Sequence, residues 1–221
     1  MDGGRRIQCA RESILDMPFL HVALPRNCRP RHVRRAGRLL AKAGVRRAVA
    51  PAGFLFWDDL ARCGVGPVEP GDFCRACAAP LALAALADPA SATVILRGER
   101  VTRAMRMAAL ALCPQVRNLL VAAPGGGGAL QAELRREYGV PALDDRPGRA
   151  ADLAVHFSPA SGEGRRVLDL SGPCPELDKF SISCMTEPLP GDADRLPLMA
   201  ALWENGRISP GEVTVIPISD T

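Results

Sequence analysis

Four short segments of this chain carry residue types at spacings that suit chemistry. Arg97-Gly98-Glu99-Arg100-Val101-Thr102-Arg103 follows an apolar run and opens a helical pattern. There Gly98, Arg100 and Arg103 could cradle a small anion, because the start of a helix presents backbone N–H groups, although an ordinary turn with solvated arginines is the simpler reading. Pro25-Arg26-Asn27-Cys28-Arg29-Pro30 holds the equivalent place earlier in the chain and offers Arg26 and Arg29. Gly125 to Gly128 follow NLLVAAP, and Asp144 and Asp145 come about 20 residues later, which is the layout of a dinucleotide site. Gly125 and Gly127 take the first two positions of G-x-G-x-x-G, but Leu130 stands at the third and Pro124 precedes them. A flexible loop is therefore the simpler reading of Gly125, Gly126 and their neighbours. Finally, Cys74-Arg75-Ala76-Cys77 puts two thiols in the first turn of a predicted helix, where the macrodipole would favour a thiolate. A redox role needs a strand leading in and exposed thiols, and no second C-x-x-C completes a zinc set, so packed helix cysteines are the simpler reading.

The remaining candidates are weaker. Arg31, Arg34, Arg35, Arg38 and Lys42 share one helical face and would neutralise phosphates, yet no aromatic residue interleaves with them to stack on bases. A solvated face is the simpler reading, and a nucleic-acid partner is disfavoured. His21, His32 and His156 are far apart in sequence, and His21 and His156 fall in apolar strands, as core or strand-end residues rather than ligands. No metal-spaced cluster, Ser-His-Asp set or carboxylate pair can be assembled, so no catalytic residue is assigned.

The elements that must position these groups follow from hydrophobic periodicity. Residues 1–17 read as a flexible leader. Phe19 to Leu24 reads as a strand, Arg31 to Gly44 as an amphipathic helix burying Val33, Ala36, Leu40 and Ala43, and Ala48 to Pro51 as a strand. Phe56 to Cys63 reads as a helix ending at Gly64, and Val65 to Val68 as a weak strand. Asp72 to Ala87 reads as an apolar crossover helix with Asp72 as N-cap, kinked near Pro80. Strands are predicted at Thr93 to Leu96, Asn118 to Ala123, Val140 to Leu143, Asp152 to Phe157, Val167 to Leu170 and Val213 to Ile218. Helices are predicted at Val101 to Leu112, Ala129 to Tyr138 and Leu196 to Glu204. Alternating strands and helices predict a parallel sheet covered on both faces.

The two halves also resemble each other. LLAKAGVRRAVAPAG (39 to 53) parallels LALCPQVRNLLVAAPGG (110 to 126), with Leu39 against Leu110, Pro51 against Pro124 and Gly64 against Gly139. Each half reads β-α-β-α-β, so the expected fold is an α/β, Rossmann-like, doubly wound and mainly parallel sheet built from two similar halves. The expected organisation is a leader (1–17), a first half with its crossover helix (18–90) and a second half with a C-terminal extension (91–221), sharing one continuous sheet.

From Ala92 to Pro159, TVILRG, LLVAAP and ADLAVHFSP occur in an order similar to that in the nucleotide-binding domain of shikimate dehydrogenase and glutamyl-tRNA reductase. The resemblance covers about a third of the chain, and it implies a dinucleotide domain of oxidoreductase type. The glycine-rich turn of such domains is reduced here to Gly98, followed by Glu99, whose carboxylate is unfavourable against a pyrophosphate. NAD(P) is accordingly disfavoured as a cofactor, and a smaller anion is the expected ligand.

Composition sets the outer bounds. With 48% hydrophobic residues the chain can bury a core, and no apolar run is long enough to span a bilayer, so a cytoplasmic protein without membrane contact is expected. The eight cysteines are scattered and read as reduced small hydrophobes. Residues 1–50 hold 12 Lys or Arg against 3 Asp or Glu, although the bias of Arg over Lys throughout weakens any inference of a nucleic-acid partner. The functional expectation is a protein binding a small anionic or nucleotide-like ligand at its strand-to-helix turns, through Gly98, Arg100, Arg103, Arg26 and Arg29, with Ser158 as a further donor. The alternative is a non-catalytic regulatory or assembly protein whose basic N-terminal helix engages an acidic partner, with self-association left open.

Overall fold

Short apolar runs bounded by glycine and proline decide where this chain forms strands, and two units result. The computed structural model describes residues 7–139, 151–159, 164–184 and 189–218. One unit comprises Met1–Glu69 with Thr186–Ser209, and the other Pro70–Met185 with Pro210–Thr221.

In the first unit β1 (Gln8–Ile14) and β2 (Met17–Ala23) form an antiparallel hairpin. Its two-residue turn is Leu15-Asp16, with φ of 48° and 58°. Two left-handed residues match the twist of the flanking strands, a geometry usually signalled by Asn-Gly or Asp-Gly. Leu-Asp carries no such signal and β1 has no apolar alternation, so the flexible leader read for residues 1–17 is corrected to a strand from Gln8 onward. α1 (Pro30–Lys42) begins with Pro30 in its first turn, where the missing N–H costs nothing. It buries Val33, Ala36, Gly37 and Leu40, while Ala43, expected on the same face, is exposed. Val33 and Leu40 share a core with Leu60 and Val65, flanked by Leu20, Val22, Phe54 and Trp57.

β3 (Arg47–Ala48) and β4 (Gly66–Pro67) are parallel but only two residues each, with α2 (Trp57–Ala61) between them. Pro67 has no N–H to extend the ladder. The helix Arg195–Glu204 returns to this unit, with Asp194 capping its start and Glu204 bonded to Arg47 at 3.0 and 2.5 Å.

The second unit opens with α3 (Gly71–Ala76) and α4 (Ala78–Ala84). The break falls at Cys77 because Pro80 cannot donate to Ala76, four residues before it. Pro70, not Asp72, occupies the N-cap position, and Asp72 pairs with Arg75 at 2.7 Å. β5 (Thr93–Arg97), α5 (Arg103–Leu112), β6 (Asn118–Ala122), α6 (Gly127–Tyr138), β7 (Leu153–His156) and β8 (Val167–Asp169) follow. The four strands form a parallel sheet in the order β6-β5-β7-β8. From β5 the chain steps to one side for β6 and to the other for β7, which makes the β5/β7 junction a topological switch point.

β9 (Phe180–Cys184) and β10 (Val213–Pro217) pair with each other, antiparallel. The fold is thus mixed α/β with a four-stranded parallel sheet. The single continuous doubly wound sheet expected from the two halves is not formed among the described residues: β1–β2, β3–β4 and β9–β10 are separate two-stranded sheets. The strand expected at 140–143 lies outside the described residues. No helix among the described residues is long and apolar enough to cross a membrane.

The start of α3 is held by the segment after β8. Gly71 N–H donates to Pro173 O at 2.7 Å, and Arg75 donates to the carbonyls of Leu170, Ser171 and Gly172 at 2.8 to 3.4 Å. A Cβ at Gly71 would stand 2.5 Å from Gly172 O and 2.9 Å from Pro173 O, both backbone atoms that cannot rotate away. Gly71→Ala should therefore lower stability by about 1–3 kcal/mol in urea unfolding. Gly128→Ala, at an open position in the first turn of α6, should be neutral or stabilise by about 0.5–1 kcal/mol.

Candidate functional site

The carboxyl ends of β5, β6 and β7 border an open cleft of about 580 Å³ lined by Arg97, Gly98, Glu99, Ala122, Ala123, Pro124, Ser158 and Pro159. That size suits a small molecule, and the position, outside strand ends at a switch point, is where open α/β sheets bind ligands. All eight residues belong to the second unit.

The turn from β5 to α5 is laced to both neighbouring strands. Gly98 N–H donates to Ala122 O at 3.1 Å, Val101 N–H to Gly125 O at 2.7 Å, and Gly125 N–H to Glu99 O at 3.0 Å. On the other side Glu99 N–H donates to Ser158 Oγ at 2.9 Å, and Phe157 N–H to Arg97 O at 2.8 Å. Thr102 caps α5 by accepting from Met105 N–H at 3.2 Å. The residues do not fit a pyrophosphate: the N–H groups of Gly98, Glu99 and Val101 are already donated within the protein, and the acidic Glu99 is among the lining residues.

Of the residues singled out from sequence, Gly98 and Ser158 line this cleft. Arg100 and Arg103 are exposed and are not among its lining residues. Gly125 serves close approach, since a Cβ there would lie 2.8 Å from Arg100 Cβ and 3.1 Å from Glu99 O. Gly126 is left-handed, with φ of 94°, at the N-cap of α6. Arg26 and Arg29 belong to the first unit, where Arg29 N–H donates to His32 Nδ1 at 3.2 Å at the start of α1. Asp152, the acidic residue of ADLAVHFSP, sits at the opposite end of the strands and accepts from Thr93 N–H at 2.9 Å, a structural role.

Sequence reasoning passed over Arg97 and His156 as site residues. Both end buried strands, and the ladder sets them abreast: Arg97 is paired with Ala122 on one side and His156 on the other, and His156 with Asp169. Paired residues of a sheet face the same way. A row of Arg97, His156 and Asp169 thus crosses three strands on one face. The available signal was positional, a charged or titratable residue closing each of three apolar runs.

His156 is only 6% exposed, and its Nε2 is buried without a hydrogen-bond partner among the described residues. Burial pushes its pKa below the usual 6.5; Asp169 pulls the other way and Arg97 adds to the depression. Burial raises the Asp169 carboxyl, but hydrogen bonds from Ser171 and the neighbouring His156 outweigh it and the net shift is downward.

The C-x-x-C does not make a reactive site. Cys74 and Cys77 are buried, and burial pushes both thiols up to about 12, overcoming the effect of Arg75 on Cys74. No group of three or more metal-ligating side chains occurs among the described residues.

A histidine held neutral by folding binds its proton more readily when unfolded, so its contribution to stability is present above pH 6.5 and lost as pH falls toward its lowered folded value. The Asp169 contribution is lost only at lower pH, through the carboxylate range. Denaturant unfolding between pH 7.5 and 5 should show stability declining with acid in the wild type, and a flatter profile in His156→Gln.

No family model matches the chain, and no curated protein matches it. Among solved structures, L-tryptophan dehydrogenase from Nostoc punctiforme is similar over 63% of this chain and 43% of its own, with 12% identity and a TM-score of 0.30. This chain therefore spans less than half of that protein's length.

Proposed function

We propose that the second unit binds a small anionic molecule at the carboxyl edge of its parallel sheet, as a divergent domain of oxidoreductase type that has given up the pyrophosphate-binding turn. The observation that carries this reading is the joint presence of Arg97 and Ser158 in one cleft at the switch point. Arg97 offers a fixed positive charge with several donors. Ser158 Oγ accepts from Glu99 N–H, which leaves its own hydroxyl proton for a ligand oxygen. Glu99 restricts the class further, because its carboxylate repels a second anionic group and accepts from a donor. The ligand that fits has one acidic group for Arg97 and Ser158 and a hydroxyl or ammonium for Glu99, as in a hydroxy acid, an amino acid or a sugar phosphate. NAD(P) stands as the less favoured ligand, since the turn withholds its N–H groups.

A second reading rests on α1, where Arg31, Arg35, Arg38 and Lys42 are exposed while Arg34 lies 3.5 Å from Asp59. In it the protein is a regulatory or assembly component whose basic face meets an acidic partner, with an affinity that falls steeply with salt.

Thermal-shift screening against hydroxy acids, amino acids, sugar phosphates, NAD(H) and NADP(H) separates these readings. A ligand present at about 100 times its Kd stabilises the native state by about 2.7 kcal/mol. We expect a single-anion compound to raise the melting temperature of the wild type and of Arg100→Ala, and to leave Arg97→Ala unshifted. A dinucleotide shift that survives Arg97→Ala overturns the proposal in favour of an intact dinucleotide site. No shift with any compound moves the α1 reading to the front.

A further inference from the structure

The anion-binding reading of the cleft has a second consequence, drawn from the row Arg97, His156 and Asp169. His156 ends β7, two residues before Ser158 of the cleft wall, and its ladder partner Arg97 lines the same cleft. It is 6% exposed, and its buried Nε2 has no partner among the described residues. A buried polar atom without a partner is uncommon, because leaving it unpaired costs about 1–3 kcal/mol. His156 itself is not among the residues that line the cleft, so an anion bound there acts on it through the charge it brings beside Arg97.

We infer that His156 takes up a proton when the cleft binds an anion beside its ladder partner Arg97, so that an imidazolium adds its positive charge behind the anion site. The inference rests on the anion-binding reading and deepens it: binding of the ligand is coupled to uptake of one proton from solvent.

The charges around the imidazole support the direction of the coupling. β5 presents Arg97, which disfavours imidazolium, and β8 presents Asp169, which favours it. α4, the helix packed on β7, has the sequence AAPLALA and brings no charge. Glu99 lines the cleft beyond Arg97, and Arg75 of α3 is engaged with the carbonyls of residues 170 to 172 and with Asp72. In the ligand-free protein, burial and Arg97 hold the ring neutral. An incoming anion offsets Arg97 while Asp169 stays in place, and the balance of charge around the ring then shifts toward the protonated form. By linkage, protons must then strengthen anion binding to the same extent.

Isothermal titration of the full chain with sodium sulfate tests this, because sulfate keeps one charge state between pH 5.5 and 8. The titration is run at four pH values, each in two buffers of different ionisation enthalpy. The expected result is a Kd that loosens as pH rises, by up to about tenfold per unit where a whole proton is taken up, with a binding heat that changes with the buffer. His156→Gln should still bind sulfate, with a flat pH profile and a buffer-independent heat. Arg97→Ala should lose sulfate binding at every pH. Asp169→Asn alters an exposed carboxylate and keeps the fold even where His156→Gln does not. It should shift the pH at which binding weakens downward, and an unmoved profile overturns the inference. Wild-type binding that is independent of pH and buffer, or a His156→Gln profile as steep as that of the wild type, also overturns it while leaving the anion reading intact. Absence of sulfate binding to the wild type at every pH overturns both.

Discussion

The hydrogen-bonded register of β5 against β6 and β7 fixes every group at the carboxyl edge. Arg97 stands level with Ala122 and His156 because Thr93 stands level with Asn118 and Val94 with Leu153. A slip of β5 by one residue would turn Arg97 to the opposite face of the sheet from His156. The register is secured by side chains remote from the cleft. Ile95, Leu120 and Ala154 lie abreast in one core cluster, and Asp152 ties its carboxylate to Thr93 N–H at the far end of the strands. The cleft therefore inherits its geometry from apolar burial, and its polar groups need little local support to hold their places.

The β5–α5 turn shows how much a strand-end loop can change while its sheet stays the same. A pyrophosphate-binding turn leaves its N–H groups pointing at the ligand, and this one donates them to Ala122, Ser158 and Gly125. At Gly98 a Cβ would stand 2.8 Å from Met105 Cε, the end of a flexible side chain, so this glycine serves the packing of α5 on the sheet rather than a ligand. The glycine survives while the donors are spent on the protein itself. Recognition of an anion then passes from backbone to side chains, to Arg97 and the Ser158 hydroxyl.

Much of the second unit was legible from hydrophobic runs alone. TVIL, NLLVAA, DLAVHF and the run from Val167 each gave a strand within a residue or two of its true bounds, because a parallel sheet buried on both faces demands continuous apolar segments. The first unit was less legible. Its hairpin turns on Leu15-Asp16, a pair with no turn signature, and its parallel strands are stopped at two residues by Gly66-Pro67. β9 was missed because Ser181, Ser183 and Cys184 dilute the apolar pattern. The site was legible only in part. Gly98 and Ser158 were found through their turns; Arg97 opened the same turn segment as Gly98 without being singled out, His156 read as a strand residue, and only pairing across the sheet sets the two side by side.

The exposed arginines drew attention in the sequence, yet position makes the less conspicuous Arg97 the stronger anion ligand. Arg100 and Arg103 are exposed, where water and salt weaken their attraction for an anion within about 10 Å at ordinary ionic strength. Arg97 is half-buried at the end of a central strand, its backbone carbonyl held by Phe157 N–H and its neighbour on β7 a buried imidazole. A charge in that setting acts through a lower effective dielectric and is already oriented before a ligand arrives. The same setting makes a second permanent cation beside it costly. A histidine resolves the conflict, since it can stay neutral while the cleft is empty and become charged only when an anion arrives to compensate it.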